Sequence, residues 1–191
     1  MTSWRTPASR QPIADTEVVF SNSVESLVRA LGPALDETTR QKFLALGIDL
    51  LKPNPAYPYE LWVRALELAM DVLWPGVGRD TATYRMGRAI FESYEQTMMG
   101  KALMALVKVL GPKRALERMS RNLRTTNNYS ETRLTEVGPN RFEMWVNKVA
   151  FPHYFRGLLE AGLEFGGARG VKVDIVRVST SEGAVFGLSW K

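Results

Sequence analysis

GPKRALERMSRNLRTTNNYSETR, from Gly111 to Arg133, divides the chain into two unlike parts. Its first half reads as a helix from Pro112 to Leu123, since Pro suits a first helical position. A polar turn, Thr125 to Ser130, follows, and then a β-prone run. Before this stretch the apolar residues recur mostly at helical spacing. After it they alternate, as in strands, around one helix. The stretch also carries Lys113, Arg114, Arg118, Arg121, Arg124 and Arg133 against Glu117 and Glu131, which is four of the chain's five net positive charges.

Upstream, Glu17-Val18-Val19-Phe20 is short and β-prone, and Ser21 or Ser23 can cap a helix beginning near Val24. Val24, Leu27, Val28 and Leu31 form one helical stripe, ended by Gly32-Pro33. Asp36 is a good N-cap for a second helix through Leu46, with Gly47 as its stop. Lys52 to Pro58 holds three prolines and is expected to be a loop. Leu61, Trp62, Ala65, Leu66, Ala69, Met70 and Leu73 give a third helix. A long helical region then runs from Asp80 or Thr81 to Gly111. Gly87 and Gly100 lie inside it, so the spacing predicts either a kink near Gly100 or a neighbour packed closely on the backbone.

Downstream, Thr132 to Val137 and Arg141 to Val149 read as a hairpin around Gly138-Pro139-Asn140. Pro152 opens a helix through Phe165, where Gly157 and Ala161 permit close approach of another element. Val171, Val173 and Ile175 alternate, and the pattern slips at Val176, which predicts a bulge or burial on both faces. Ala184, Phe186, Leu188 and Trp190 form one face of a last strand. The expected fold class is α+β: an N-terminal helical half packed on a C-terminal β-β-α-β-β four-stranded antiparallel sheet. Residues 1–15 are expected to be a flexible tail. Residues 16–191 form a single domain, helical over about 16–125 and sheet over about 126–191.

At 191 residues the chain can bury roughly 70% of its unfolded surface without staples. It has no cysteine, which removes disulfides, thiolate metal sites and cysteine nucleophiles together. Its one histidine, His153, sits at a helix start with no companion ligands, so neither a metal nor a catalytic base is expected there. No phosphate loop, dinucleotide fingerprint or nucleophile elbow occurs. No apolar run approaches the about 18 residues of a membrane span, and the polar start lacks a secretory core. A cytoplasmic location is expected. The sequence pI of about 9.6 raises nucleic acid as a partner, but the basic residues are too sparse to track a phosphate backbone, and no DNA is expected.

The candidate ligand-binding residues are Arg114, Arg118, Arg121, Arg124, Asn127, Asn128, Tyr129 and Arg133. Arg114, Arg118 and Arg121 fall at i, i+4 and i+7, where guanidinium forks suit carboxylates or phosphates. The same arginines can equally be a solvated face at a helix end, with Asn127 and Asn128 capping it. The aromatic and methionine side chains of the helical half (Trp62, Trp74, Tyr84, Phe91, Tyr94, Met98, Met99) can line a cavity for an apolar ligand or form plain core.

Several stretches resemble an uncharacterised family, a domain of unknown function of about this length that is expanded in myxobacteria. They include Pro58-Tyr59-Glu60-Leu61-Trp62, Gly111-Pro112-Lys113-Arg114-Ala115-Leu116, Asn127-Asn128-Tyr129-Ser130-Glu131-Thr132-Arg133 and Tyr154-Phe155-Arg156-Gly157-Leu158-Leu159-Glu160-Ala161-Gly162. That resemblance implies no activity and no catalytic residues. The layout is also similar to haem–nitric-oxide-binding and vinyl-reductase-type sensor domains, which hold small ligands between helices and sheet. The haem branch needs a histidine on a helix before the sheet, and His153 lies after the first hairpin. Its Tyr-x-Ser-x-Arg motif is altered at Tyr129-Ser130-Glu131-Thr132-Arg133, which has Glu in the middle place. No cofactor is therefore expected, neither haem nor zinc. The resemblance implies a non-enzymatic sensor with a small-molecule or lipid-like ligand. A docking module working as a homodimer is the alternative.

Overall fold

A computed structural model describes residues 16–191, the side chains of Met99, Leu103, Leu106, Met119 and Ser120 excepted. The expected N-terminal tail lies outside the described residues. The chain runs β1 (Val18–Phe20), α1 (Ser21–Leu31), a 3-10 turn (Gly32–Ala34), α2 (Glu37–Leu46), β2 (Ala56–Pro58), α3 (Tyr59–Leu73), α4 (Arg79–Tyr94), α5 (Met98–Glu117), α6 (Met119–Leu123), β3 (Thr132–Gly138), β4 (Arg141–Val146), α7 (Pro152–Phe165), β5 (Lys172–Ser179) and β6 (Gly183–Ser189). It is α+β, with helices first and a four-stranded antiparallel sheet, order β3-β4-β6-β5, last.

Local chemistry accounts for most boundaries. The Asp36 carboxylate accepts from the Thr39 backbone N–H at 2.7 Å, which draws its pKa below the usual carboxylate value, and Gly47 ends α2 in the left-handed region. The slip expected at Val176 is a register shift between Ile175 and Arg177 against β6. Three elements differ from expectation. The proline-rich loop ends in β2, which pairs antiparallel with β1 in register Val19↔Tyr57. A three-residue edge strand tolerates the prolines that exclude a central one. Next, α1 starts at Ser21, with Phe20 at the N-cap position and no side-chain cap.

The long helical region is also not continuous. It breaks at residues 95–97, where the Thr97 hydroxyl accepts from the Gly100 N–H at 2.9 Å and starts α5. Gly100 is thus in a first turn rather than at a kink. A Cβ there would lie 1.7 Å from the Tyr94 carbonyl oxygen, so only glycine fits. The bend within α5 falls at Gly111, with φ 78°.

Three apolar clusters form the interior. The first joins α1, α2, α3, α4 and the β1-β2 ribbon around Val24, Leu27, Phe43 and Met86. The second joins the inner sheet face (Phe142, Met144, Phe186, Leu188) to Leu159 and Leu163 of α7. The third is small: Tyr94, Met104 and Val107. The helix α7 belongs by sequence to the sheet half, yet its most extensive helix contact is with α4. Glycines set that distance: a Cβ on Gly87 would lie 1.9 Å from the Tyr154 carbonyl oxygen, and one on Gly157 would lie 2.2 Å from that of Tyr84.

Candidate functional site

The polar turn after α6 is stitched to the start of the domain. Phe20 N–H donates to Thr126 O at 2.8 Å, and Asn128 N–H to Val18 O at 3.2 Å. The Asn128 side chain accepts from Val18 N–H at 2.8 Å and donates to Thr16 O at 3.0 Å. Asn127 bridges Val19 and turns inward. Its side-chain oxygen accepts from the N–H groups of Tyr129 and Ser130, the Asx geometry that reverses a chain. Both asparagines anchor the turn to β1, and the Asn127 N–H also caps the preceding helix by donating to Leu123 O at 3.1 Å.

This turn closes one side of a cavity of about 160 Å³ that lies where the three apolar clusters meet. Trp62 and Leu66 come from the first cluster, Leu116, Leu159 and Leu163 from the second, and Tyr94, Met104 and Val107 from the third. Both halves of the domain contribute walls. Among the described lining residues the one charged side chain is Lys148. It bonds the Glu17 carboxylate and sits 4.3 Å over the Tyr59 ring. Its charge is thus already satisfied.

Most polar groups at the wall are satisfied as well. Ser26 donates to Asn22 O, and the Tyr94 hydroxyl shares a 3.2 Å bond with Thr125. Tyr59, Tyr129 and Tyr154 stand apart. The Tyr59 and Tyr129 rings meet edge to face at 5.0 Å. Burial pushes the Tyr59 phenol up to about 12, with the Glu60 and Glu17 carboxylates adding to the shift. Burial raises Tyr129 and Tyr154 further, and Tyr129 is raised again by its two tyrosine neighbours.

The residues expected from sequence divide. Asn127 and Tyr129 line the cavity. Arg114, Arg118, Arg121, Arg124, Asn128 and Arg133 do not. Arg118 ends α5 and α6 begins after it, so Arg114, Arg118 and Arg121 do not share one uninterrupted helix face. Arg124 pairs with Glu131 at 3.6 Å, both well exposed. Arg133 stacks 4.7 Å over Trp145. Of the aromatic side chains, Trp62, Phe91 and Tyr94 line the cavity, whereas Trp74 and Tyr84 do not and Met98 is 88% exposed. Tyr59 and Tyr154 were not singled out as ligand residues. Their signal is position, Tyr59 first in α3 and Tyr154 third in α7, each in an aromatic run (Tyr57-Pro58-Tyr59, His153-Tyr154-Phe155). His153 lies 3.5 Å from Asp80, away from the cavity. Among the described residues no cluster of His, Asp or Glu is arranged to hold a metal. None of their helices is long and apolar enough to cross a membrane.

A family model described as "Protein of unknown function (DUF2378)" matches residues 17–191, and the chain belongs to that family. No curated protein matches the sequence. Solved structures share the fold. The Fe(II) unliganded H-NOX protein from K. algicida is 13% identical, with TM-score 0.62 over 88% of this chain and 95% of that one. A structure titled "Probing the function of heme distortion in the H-NOX family" is 14% identical, with TM-score 0.59 over 90% of this chain and 94% of that one. The expected layout of helices on a β-β-α-β-β sheet is thus the H-NOX fold.

Proposed function

We propose that this DUF2378-family domain is a non-enzymatic ligand-binding module whose ligand is a small organic molecule held between the helical half and the sheet. The observation that carries the reading is the cavity at the junction of the three clusters. Its roughly 160 Å³ is close to the about 150 Å³ of an apolar protein cavity that takes up benzene. A single ring or a short acyl chain is the matching size. Close-packed interiors leave few voids this large. A ligand there would touch α3, α4, α5 and α7 at once, as a signalling role requires. The described walls are mostly apolar side chains, which supports binding of an organic molecule.

The likeness to a structure described as probing haem distortion raises haem. The residues here do not fit it. No histidine lines the described cavity, and there is no cysteine in the chain. Tyrosine ligates haem iron in some proteins, but burial raises the Tyr129 and Tyr154 phenols and so disfavours the phenolate.

Native mass spectrometry of the purified chain tests the proposal. A retained organic mass, released on denaturation, supports it. A bare chain whose melt is unmoved by small aromatic compounds rejects it. One observation favours homodimerisation as a second reading: Met98 and Val109, eleven residues apart on α5, are 88% and 84% exposed. Light scattering at rising concentration, with Val109→Lys as control, tests that.

A further inference from the structure

The cavity is apolar in its walls but not uniform in chemistry. Neither the Tyr129 nor the Tyr154 hydroxyl has a hydrogen-bond partner among the described residues, although both phenols are buried enough to be strongly raised in pKa. Asn22 Oδ1 is the one sealed side-chain polar atom among them that lacks a partner. The two hydroxyls are therefore not sealed off, and both residues line the cavity. Each is a partly buried donor at the cavity wall, able to bond an acceptor that enters.

The charge pattern narrows the acceptor. Lys148 is the one cation at the described wall, and Glu17 already holds it while Tyr59 covers it. A carboxylate or phosphate entering the cavity would have no free cation to meet. It would also face phenols that resist ionisation, which suits them to donate to a neutral oxygen. None of the hinge arginines lines the cavity.

We infer that the cavity selects an uncharged, ring-sized molecule carrying a hydrogen-bond acceptor, such as an aryl ketone, with Tyr129 and Tyr154 as the donors. The inference rests on the ligand-binding reading above and adds the ligand's chemical class and the residues that choose it. The phenols sit on different parts of the chain, one in the turn before β3 and one in α7. A single acceptor between them would tie the stitched N-terminal ribbon to the sheet half.

Three compounds of nearly equal size separate the possibilities by calorimetric titration of the full chain: acetophenone, ethylbenzene and benzoate. The expected order is acetophenone tightest, about 2- to 12-fold over ethylbenzene for one net neutral hydrogen bond, with benzoate at least tenfold weaker than either. In Tyr129→Phe/Tyr154→Phe both rings remain, and the ketone loses its advantage while the hydrocarbon binds as before. Equal binding of ketone and hydrocarbon to the wild type overturns the inference and leaves the ligand-binding reading standing. Benzoate binding best also overturns it, and points to a cation at the site. Binding of none of the three rejects both. Because the wild-type comparison alone decides, the result does not depend on the double variant folding.

Discussion

The carbonyl oxygen of Tyr154 occupies the place where a side chain on Gly87 would begin, 1.9 Å from an ideal Cβ. The contact is reciprocated by Gly157 against Tyr84, at 2.2 Å. Alanine at either position must push two helix backbones apart. Because the obstacle is backbone, the loss of stability is expected to reach about 3 kcal/mol, the upper end for overpacking. Gly162→Ala is the control. Its Cβ would meet only the Phe91 ring at 3.4 Å, and the helix gains about 1 kcal/mol from alanine, so stability should hold or rise. Urea melts of the three variants check the ranking.

The same helix pair is joined by a buried carboxylate. Glu160, 9% exposed, accepts from the Tyr84 hydroxyl and from Arg156 Nε at 3.1 Å. Burial and that hydrogen bond to Glu160 raise the Tyr84 pKa. Tyr84→Phe removes one of two partners from a charged group and should lower stability by about 1.5–3 kcal/mol. A double-mutant cycle with Glu160→Gln measures the pair. A coupling under about 0.5 kcal/mol would show that the two act separately.

Alkaline pH should weaken the fold through the tyrosines. Tyr129 and Tyr154 have folded pKa values raised above the ordinary 10.0 by burial. Below pH 10 both states keep these protons and stability is unaffected. As pH rises past 10 the unfolded chain releases them first, so it binds fewer protons than the folded one and stability falls. The slope approaches about 1.4 kcal/mol per pH unit for each phenol. Denaturant melts between pH 9 and 11 should show this loss in the wild type and a shallower one in Tyr129→Phe/Tyr154→Phe.

For the hinge arginines the expected effect is small. Arg121 and Arg124 are exposed, and Arg124 is held only by Glu131 at 3.6 Å. Changing both to Gln should cost under about 1 kcal/mol in total and less in high salt. Thermal melts with and without heparin check it. A heparin-induced rise in Tm in the wild type that the double variant lacks would revive the anion-binding reading of this stretch.

Some features were written locally and others were not. Phe142, Met144 and Val146 alternate because one face of β4 is buried, so both strand and register could be read directly. Asp36 and Gly47 bracket α2 by their own chemistry. The break before α5 had a local sign, Thr97 three residues before Gly100, but the helical apolar spacing on either side masked it. The short strand β2 could not be read, because what makes it a strand is its pairing with β1. The arginines that carry the excess charge stand outside the cavity walls. The cavity is built from Trp62, Tyr129, Tyr154 and Leu159, nearly 100 residues apart at the extremes, and no local period joins them.

The placement of α7 also bears on how the chain is born. Tyr84 and Glu160 are 76 residues apart, and the face of α4 that meets α7 includes the Gly87 backbone. On a ribosome adding about 5–20 residues per second, α4 waits roughly 4–15 s for its partner. The helical half, with its own apolar cluster, emerges before the sheet on which α7 also packs. Gly87 and Gly157 then let the two helix backbones seat at close range. The interior chamber, walled by residues from Val19 to Leu163, is complete only once α7 has been made.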